Sequence, residues 1–166
     1  KWGKLDFVVH AIGFADKNEL KGRYADTSRD NFSRTMVISC FSFTEIAKRA
    51  ATLMPAGGAM VTLTYNGGQR AMPNYNVMGV AKAALEASVR YLAVDFGPSA
   101  IRVNAISPGP IEGTEGVARL APTEEAKTAW VARQPLRRMG ALNDIGNLAA
   151  YLASPVAAFI TGSIMS

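Results

Sequence analysis

The chain has 166 residues, of which 49% are apolar and 19% charged, so it is long and apolar enough for one domain with its own core. The net charge of +5 would suit an anionic partner, but lysine and arginine are scattered, and we do not expect a nucleic-acid-binding role. The only cysteine, Cys40, excludes an internal disulfide, and no apolar stretch reaches the roughly 18 residues of a membrane span. We therefore expect a soluble, cytoplasmic protein without a membrane partner.

The first predicted element is a strand. After a polar lead-in over residues 1–4, residues 5–12 are mostly apolar and end at Gly13, which predicts an interior strand of a parallel sheet. His10, the only histidine, lies within this run and is expected to be a core or edge side chain and not a catalytic base. With one histidine and no cluster of cysteines or paired carboxylates at ligand spacing, the sequence predicts no metal site.

A polar connection over residues 16–27 leads into a long predicted helix over residues 28–54. Its apolar residues recur at steps of three and four, and Pro55 ends it. The recurring positions are Phe32, Met36, Cys40, Phe43, Ala47, Ala50 and Met54. Val37, Ile38 and Phe41 widen the apolar surface, so the helix should be buried on more than one side. Two explanations stay open: pairing across a subunit interface, and burial between the sheet and a neighbour within one chain.

The next strand and helix form the centre of the sequence. Residues 59–64 predict a strand with Tyr65 at its carboxyl end, and Asn74 is the predicted N-cap of a helix over residues 75–96. Tyr75 would lie in the first turn, and Lys82, seven residues later, on the same face roughly 10 Å along the axis. Tyr65, Tyr75 and Lys82 could therefore share one cleft. A glycine in mid-helix, Gly79, costs about 1 kcal/mol relative to alanine, so we expect a cofactor or another helix to pack closely there.

The remaining elements complete an alternating pattern. Residues 101–106 predict a strand, residues 107–111 a stiff turn, residues 143–153 a helix, and residues 159–162 the opening of a final strand region. Alternating strands and helices indicate an α/β fold with a Rossmann-like, doubly wound parallel sheet. No glycine-rich phosphate-binding turn precedes Leu5, and the run Asn66-Gly67-Gly68 is in the wrong place to be one, so the Rossmann domain is expected to be partial.

One segment carries a resemblance to a known family. This segment is Tyr75-Asn-Val-Met-Gly-Val-Ala-Lys82, preceded by Tyr65 and the run 70–74. It resembles the active-site segment of bacterial NADH-dependent enoyl-acyl-carrier-protein reductases, members of the short-chain dehydrogenase/reductase superfamily. The common superfamily pattern has a tyrosine where Met78 stands and a serine where Tyr65 stands, and both departures are typical of the enoyl reductases. This specific resemblance covers residues 1–111. Residues 112–155 look more like 2,4-dienoyl-CoA reductases, and against the family the chain looks incomplete at both ends.

The resemblance implies a role for each site residue. Tyr75 would donate a hydrogen bond to the enolate oxygen and contact substrate with Ala15, Tyr65 would lie near that oxygen, and Lys82 would anchor NAD. The further cofactor contacts that the resemblance implies are Ile12, Gly13, Ile111 and Thr114. Residues 112–134 would form a lid over the acyl chain, and the enzyme would be a homotetramer.

Three functions therefore stay open. The first is reduction of the carbon-carbon double bond of an enoyl thioester, on acyl carrier protein or CoA, with NADH in fatty acid biosynthesis. The second is a 2,4-dienoyl-CoA reductase or another short-chain reductase, favoured by residues 112–155. The third is an inactive module that only folds or oligomerises, favoured by the missing phosphate-binding turn.

Overall fold

A parallel sheet forms the middle of the molecule. The structure, a computed structural model, describes residues 3–166; residues 1 and 2, the start of the predicted polar lead-in, lie outside the described residues. Within them the sheet has four strands, β1 (Phe7–His10), β2 (Gly58–Leu63), β3 (Ile101–Ile106) and β4 (Ile164–Met165), in the order β1-β2-β3-β4. All neighbouring pairs are parallel. The predicted α/β class and parallel sheet are confirmed.

The position of β1 differs from its prediction. The apolar run predicts an interior strand, but among the described residues β1 lies at the edge of the sheet and pairs only with β2. Phe7 and Val9 are accordingly 56% and 47% exposed. An apolar run indicates that a strand prefers burial, but it does not determine how many strands lie beside it, and so the interior position is wrong for this structure.

Helices cover both faces of the sheet. On one face lie α2 (Ser42–Ala51) and α3 (Asn76–Phe96), which share a buried cluster with Met60 and Val103 of the strands, and α1 (Arg29–Met36), which contacts α3. On the other face lies α6 (Leu142–Ala153), whose Leu152 packs in a second cluster with Val61 and Ile106. Because successive strand residues point to opposite faces, the two clusters use alternate positions of the strands. This is the doubly wound arrangement that the sequence predicts.

The helix predicted over residues 28–54 is interrupted. A five-residue π-helix (Val37–Phe41) separates α1 from α2, and Ala51 is the last residue of α2. Val37 and Phe41 are 53% and 52% exposed, so no neighbour among the described residues buries this second apolar side. The other explanation, a subunit interface, stays a prediction.

Two short helices lie in the predicted lid region. They are α4 (Glu115–Leu120) and α5 (Glu124–Val131), each capped by the hydroxyl of the preceding threonine. The segment that follows them is anchored by Gly140, whose N–H donates to the Pro110 carbonyl and whose carbonyl accepts from the Glu112 N–H. Residues 159–162 lead to β4 without being part of it. No helix among the described residues is long and apolar enough to cross a membrane.

Candidate active site

The carboxyl ends of β1, β2 and β3 lie at one edge of the sheet, because all strands run in the same direction. The segment after β1 carries Gly13, the residue after Thr64 is Tyr65, and the turn after β3 leads to Ile111. Helix α3 begins beside the β2 end and brings Lys82 to it. The sequence therefore assembles its candidate residues through strand order, although they are far apart in the chain.

Lys82 points into the protein at this edge. It is 8% exposed, and its ammonium donates a hydrogen bond of 2.8 Å to the carbonyl of Leu63, the last residue of β2. A side chain on Gly13 would lie 3.9 Å from the Lys82 Nζ and 4.0 Å from the Met78 Cε. Burial lowers the pKa of Lys82, while the neighbouring Cys40 and Glu86 act in the opposite direction. An ammonium has three N–H donors, so beyond the Leu63 bond this one has donors to offer to a ligand's hydroxyl groups.

The two tyrosines contact each other. Their ring centroids are 4.9 Å apart in an edge-to-face arrangement, which favours tight packing of the pair. Burial raises the pKa of Tyr75 strongly, and the neighbouring Tyr65 raises it further. Burial also raises the pKa of Tyr65, opposed by the charge of Arg70. Both phenols are therefore protonated hydrogen-bond donors at neutral pH.

The start of α3 differs from the prediction by one residue. The helix begins at Asn76, so Tyr75 is its N-cap and not part of its first turn. Asn74, the predicted N-cap, has a φ of 59°, in the left-handed region that asparagine tolerates better than most residues. The Tyr75 ring lies against Gly67, in the loop that follows β2.

Three glycines explain how closely that loop approaches α3. A side chain on Gly67 would lie 2.4 Å from the Tyr75 ring, and one on Gly68 would lie 3.0 Å from the Ala83 nitrogen. A side chain on Gly79 would lie 2.7 Å from the Gly67 carbonyl oxygen. The close neighbour of Gly79 is thus a loop of the same chain. The expectation of a cofactor or another helix at that position is wrong.

The other predicted residues fall into two groups. Ile12 and Gly13 are exposed and Ala15 is half-buried, all in the segment after β1, and of these Gly13 lies beside Lys82. Ile111 is 8% exposed and pairs with Gly140. The Thr114 hydroxyl donates to the Ile111 carbonyl and accepts from the N–H of Val117, so it caps α4. Ile111 and Thr114 therefore lie together, and Gly13 lies beside Lys82.

A wide cleft opens beside Tyr65. It has a volume of about 780 Å³ and is lined by the turn after β3, the loop after β2 and the lid region. Its charged lining residues are all arginines, Arg70, Arg119 and Arg133, with Trp130 and Leu120 among the apolar ones. Tyr75 lines a smaller cavity of about 360 Å³ on the other side of the same loop. The two tyrosines thus touch each other while facing different cavities, and a shared cleft with Lys82 stays a prediction.

Sequence reasoning missed a polar group at this edge. The Ser39 hydroxyl accepts from the N–H of Phe14 and donates to its carbonyl, both at 2.8 Å, which fixes the segment after Gly13. Ser39 lies in the π-helix, a form that often occurs at functional sites but has no simple sequence signal.

A second pair that was missed lies nearby. The Thr64 hydroxyl donates to the buried carboxylate of Glu86, four residues after Lys82. The spacing of four could have indicated that Glu86 shares the helix face of Lys82.

His10 has the structural role that the sequence predicts. It is 2% exposed, and its ring nitrogens are hydrogen-bonded to the hydroxyls of Thr62 and Ser42, each at 2.9 Å. Burial, and after it the charge of Lys82, lowers the pKa of His10. The prediction of a satisfied core histidine is confirmed. Across residues 3–166 no group of three metal-binding side chains comes together.

A doubly wound parallel sheet with a tyrosine pair at one strand end and a buried lysine on the following helix has the features expected of a Rossmann-type oxidoreductase. The family model described as enoyl-(acyl carrier protein) reductase matches residues 1–166. The chain belongs to this enoyl reductase family. The match includes residues 112–166, so limiting the specific resemblance to residues 1–111 was wrong.

Known proteins agree with this assignment. The chain is 66% identical to enoyl-[acyl-carrier-protein] reductase [NADH] 2 of Rhizobium meliloti, over 99% of this chain and 61% of that relative. It is similar to the crystal structure of FabI from Candidatus Liberibacter asiaticus, with a TM-score of 0.92 and 54% identity over 99% of this chain and 63% of that one. The reductase from Anaplasma phagocytophilum, solved in complex with NAD, gives a TM-score of 0.90 and 52% identity, with 99% and 60% covered. The chain thus spans about three fifths of the length of these relatives.

Proposed function

We propose that the whole protein reduces the carbon-carbon double bond of an enoyl thioester with NADH. The observation that carries this proposal is the arrangement at the end of β2, where Tyr65 contacts Tyr75 and Lys82 is bonded to Leu63. The similarity to enoyl reductases over 99% of the chain supports an enoyl thioester as the substrate over a dienoyl-CoA. It also supports an enzyme over an inactive module for the whole protein. The carrier is an acyl carrier protein or CoA, and the pathway is fatty acid biosynthesis.

The cofactor fits the donors that this chain presents. NADH, when bound, supplies the hydride for the β-carbon of the substrate. Lys82 offers N–H donors beyond the one that Leu63 accepts, and a pair of ribose hydroxyls is a suitable acceptor for them. Ile12, Gly13 beside Lys82, and Ile111 with Thr114 across the edge are the further proposed cofactor contacts. Ala15 belongs to the proposed substrate contacts.

The tyrosines supply the proposed stabilisation of charge. Addition of hydride to the β-carbon places negative charge on the thioester oxygen, and a donor aimed at this oxygen lowers the barrier. Tyr75 is the proposed donor, since its raised pKa keeps it protonated, and the adjoining Tyr65 is proposed to lie near the same oxygen. Lys82 is proposed to strengthen these donors with its positive charge. The lid role of residues 112–134, the cytoplasmic location and the homotetramer remain part of this proposal, and the exposed Val37 and Phe41 are candidates for the subunit interface.

One experiment tests the function. The whole protein is supplied with NADH or NADPH and either a short enoyl thioester or a dienoyl-CoA, and cofactor oxidation is followed. We expect turnover of the enoyl thioester with NADH. Preference for the dienoyl-CoA, or no turnover of either substrate, would refute the proposal.

Variants assign the roles within the same assay. Tyr75→Phe should lower kcat by at least about 100-fold, as loss of an oxyanion donor does. Lys82→Ala should weaken NADH binding at least about tenfold, because a charged hydrogen-bond donor is lost. The matched control is Tyr91→Phe on the same helix, where the ring is 76% exposed and the change should stay within about twofold.

A further inference from the structure

A buried carboxylate at the strand end has no part in the chemistry described above. Glu86 is 6% exposed and lies on α3 one turn after Lys82. Its Oε1 accepts a hydrogen bond of 2.8 Å from the hydroxyl of Thr64, which is itself 4% exposed. Burying a carboxylate costs free energy unless it is hydrogen-bonded or paired, so packing alone would be served better by an apolar side chain.

The Thr64 bond is one of two adjacent attachments between β2 and α3. Leu63 accepts from Lys82, and Thr64 donates to Glu86, so two consecutive residues of the strand end are bonded to two consecutive turns of the helix. Tyr65 follows immediately. Any movement of Thr64 therefore moves both the carbonyl that receives Lys82 and the backbone that carries the Tyr65 ring.

The loop leaves little room for Glu86 to move. A side chain on Gly68 would lie 3.0 Å from the Glu86 Oε1 and 3.0 Å from the Ala83 nitrogen. Gly68 thus lies close to the carboxylate, and a larger residue there would displace it.

We infer that Glu86 is a positioning residue: through the Thr64 hydroxyl, its carboxylate holds the end of β2 against α3 and thereby fixes Lys82 and Tyr65 for the reaction. The expected loss of kcat rests on the proposed function, whereas the contact between Thr64 and Glu86 does not. This positioning requires the hydrogen bond and not the charge. A neutral acceptor at position 86, or another hydroxyl at position 64, should therefore fix the strand end as well.

The test compares variants that break the bond with variants that keep it. Thr64→Val and Glu86→Leu remove the donor and the acceptor, whereas Thr64→Ser and Glu86→Gln keep them. The whole protein is assayed at a temperature where circular dichroism shows every variant folded, so that lost stability does not affect kcat. We expect kcat at saturating NADH to fall about tenfold or more in the first pair and to stay within about threefold in the second, since small displacements of reacting groups cost much of the rate. The double variant Thr64→Val/Glu86→Leu should match the worse single variant, because the same bond is lost in each.

Three kinetic results would overturn the inference. The first is a near-normal kcat in both Thr64→Val and Glu86→Leu, and the second is a fold-loss of kcat in the double variant that equals the product of the two single losses. The third is a loss in Glu86→Gln as large as in Glu86→Leu, which would show that the charge and not the hydrogen bond is needed.

A second readout does not depend on turnover. The ¹³Cε resonance of Lys82, assigned by its disappearance in Lys82→Ala, should shift in Thr64→Val and stay in place in Thr64→Ser. An unchanged resonance in Thr64→Val would contradict the inference. If the wild-type protein reduces no enoyl thioester, the proposed function fails, and this resonance alone decides the inference.

Discussion

Replacing Gly79 by alanine sets two opposite effects against each other in helix α3. Alanine in a helix interior is favoured over glycine by about 1 kcal/mol, because it restricts the unfolded chain. The structure opposes this gain, since the new methyl group would lie 2.7 Å from the Gly67 carbonyl oxygen. The sign of the change in the free energy of unfolding therefore tests how closely the loop after β2 lies against α3.

The required displacement sets the magnitude. Ordinary contact begins near 3.4 Å, so the Gly67 oxygen has to retreat by about 0.7 Å. Overpacking of this kind costs roughly 1–3 kcal/mol, so we expect Gly79→Ala to lower the free energy of unfolding by about 1 kcal/mol net. Gly67 also contacts the Tyr75 ring, so the same displacement should lower kcat about tenfold.

Urea denaturation provides the measurement, and α6 provides the matched control. Gly146 lies within α6, and a side chain there would meet nothing within 4 Å. Gly146→Ala should therefore raise the free energy of unfolding by up to about 1 kcal/mol and leave kcat unchanged. If Gly79→Ala stabilises the protein as much as Gly146→Ala does, the close approach of loop and helix is refuted.

Three further predictions concern buried polar groups. Burial lowers the pKa of His10 below its ordinary 6.5, so unfolding takes up a proton once the pH falls below that value. Stability in calorimetry should therefore decrease as the pH is lowered through 6.5, and less so in His10→Asn. An equal pH dependence in both proteins would contradict this. Arg102 donates to two carbonyls at the end of α6, so Arg102→Met should cost about 2 kcal/mol in urea denaturation, and an unchanged midpoint would count against that anchor. Ser39→Ala frees both backbone groups of Phe14 and should lower the free energy of unfolding by about 1 kcal/mol, whereas Ser39→Thr should lose less; equal losses would exclude the hydroxyl as the cause.

The sequence predicts the strands and helices well because their signals are local. The strand predicted over residues 101–106 and the helix over residues 143–153 differ from β3 and α6 by at most one residue. Alternating apolar runs and helical periodicity determine such elements, and their order determines the parallel sheet. The shared helix face of Tyr75 and Lys82 stays a prediction, because Tyr75 directly precedes α3 and is not part of it.

What the sequence could not predict depends on contacts between distant residues. The π-helix at Val37–Phe41 follows a helical pattern in sequence and differs only in its backbone bonds. The partner of Gly79 is a loop that precedes it in the chain, and a mid-helix glycine does not reveal which neighbour requires it. The bond between Thr64 and Glu86 needs the strand end and the helix in register.

A crystal structure of the whole protein with NAD bound tests the central claim most directly. The account predicts the Lys82 ammonium on the hydroxyls of the nicotinamide ribose, with the Tyr65 and Tyr75 hydroxyls directed to the site where a thioester oxygen would lie. A cofactor bound away from Lys82, or both phenols turned from the nicotinamide, would contradict it.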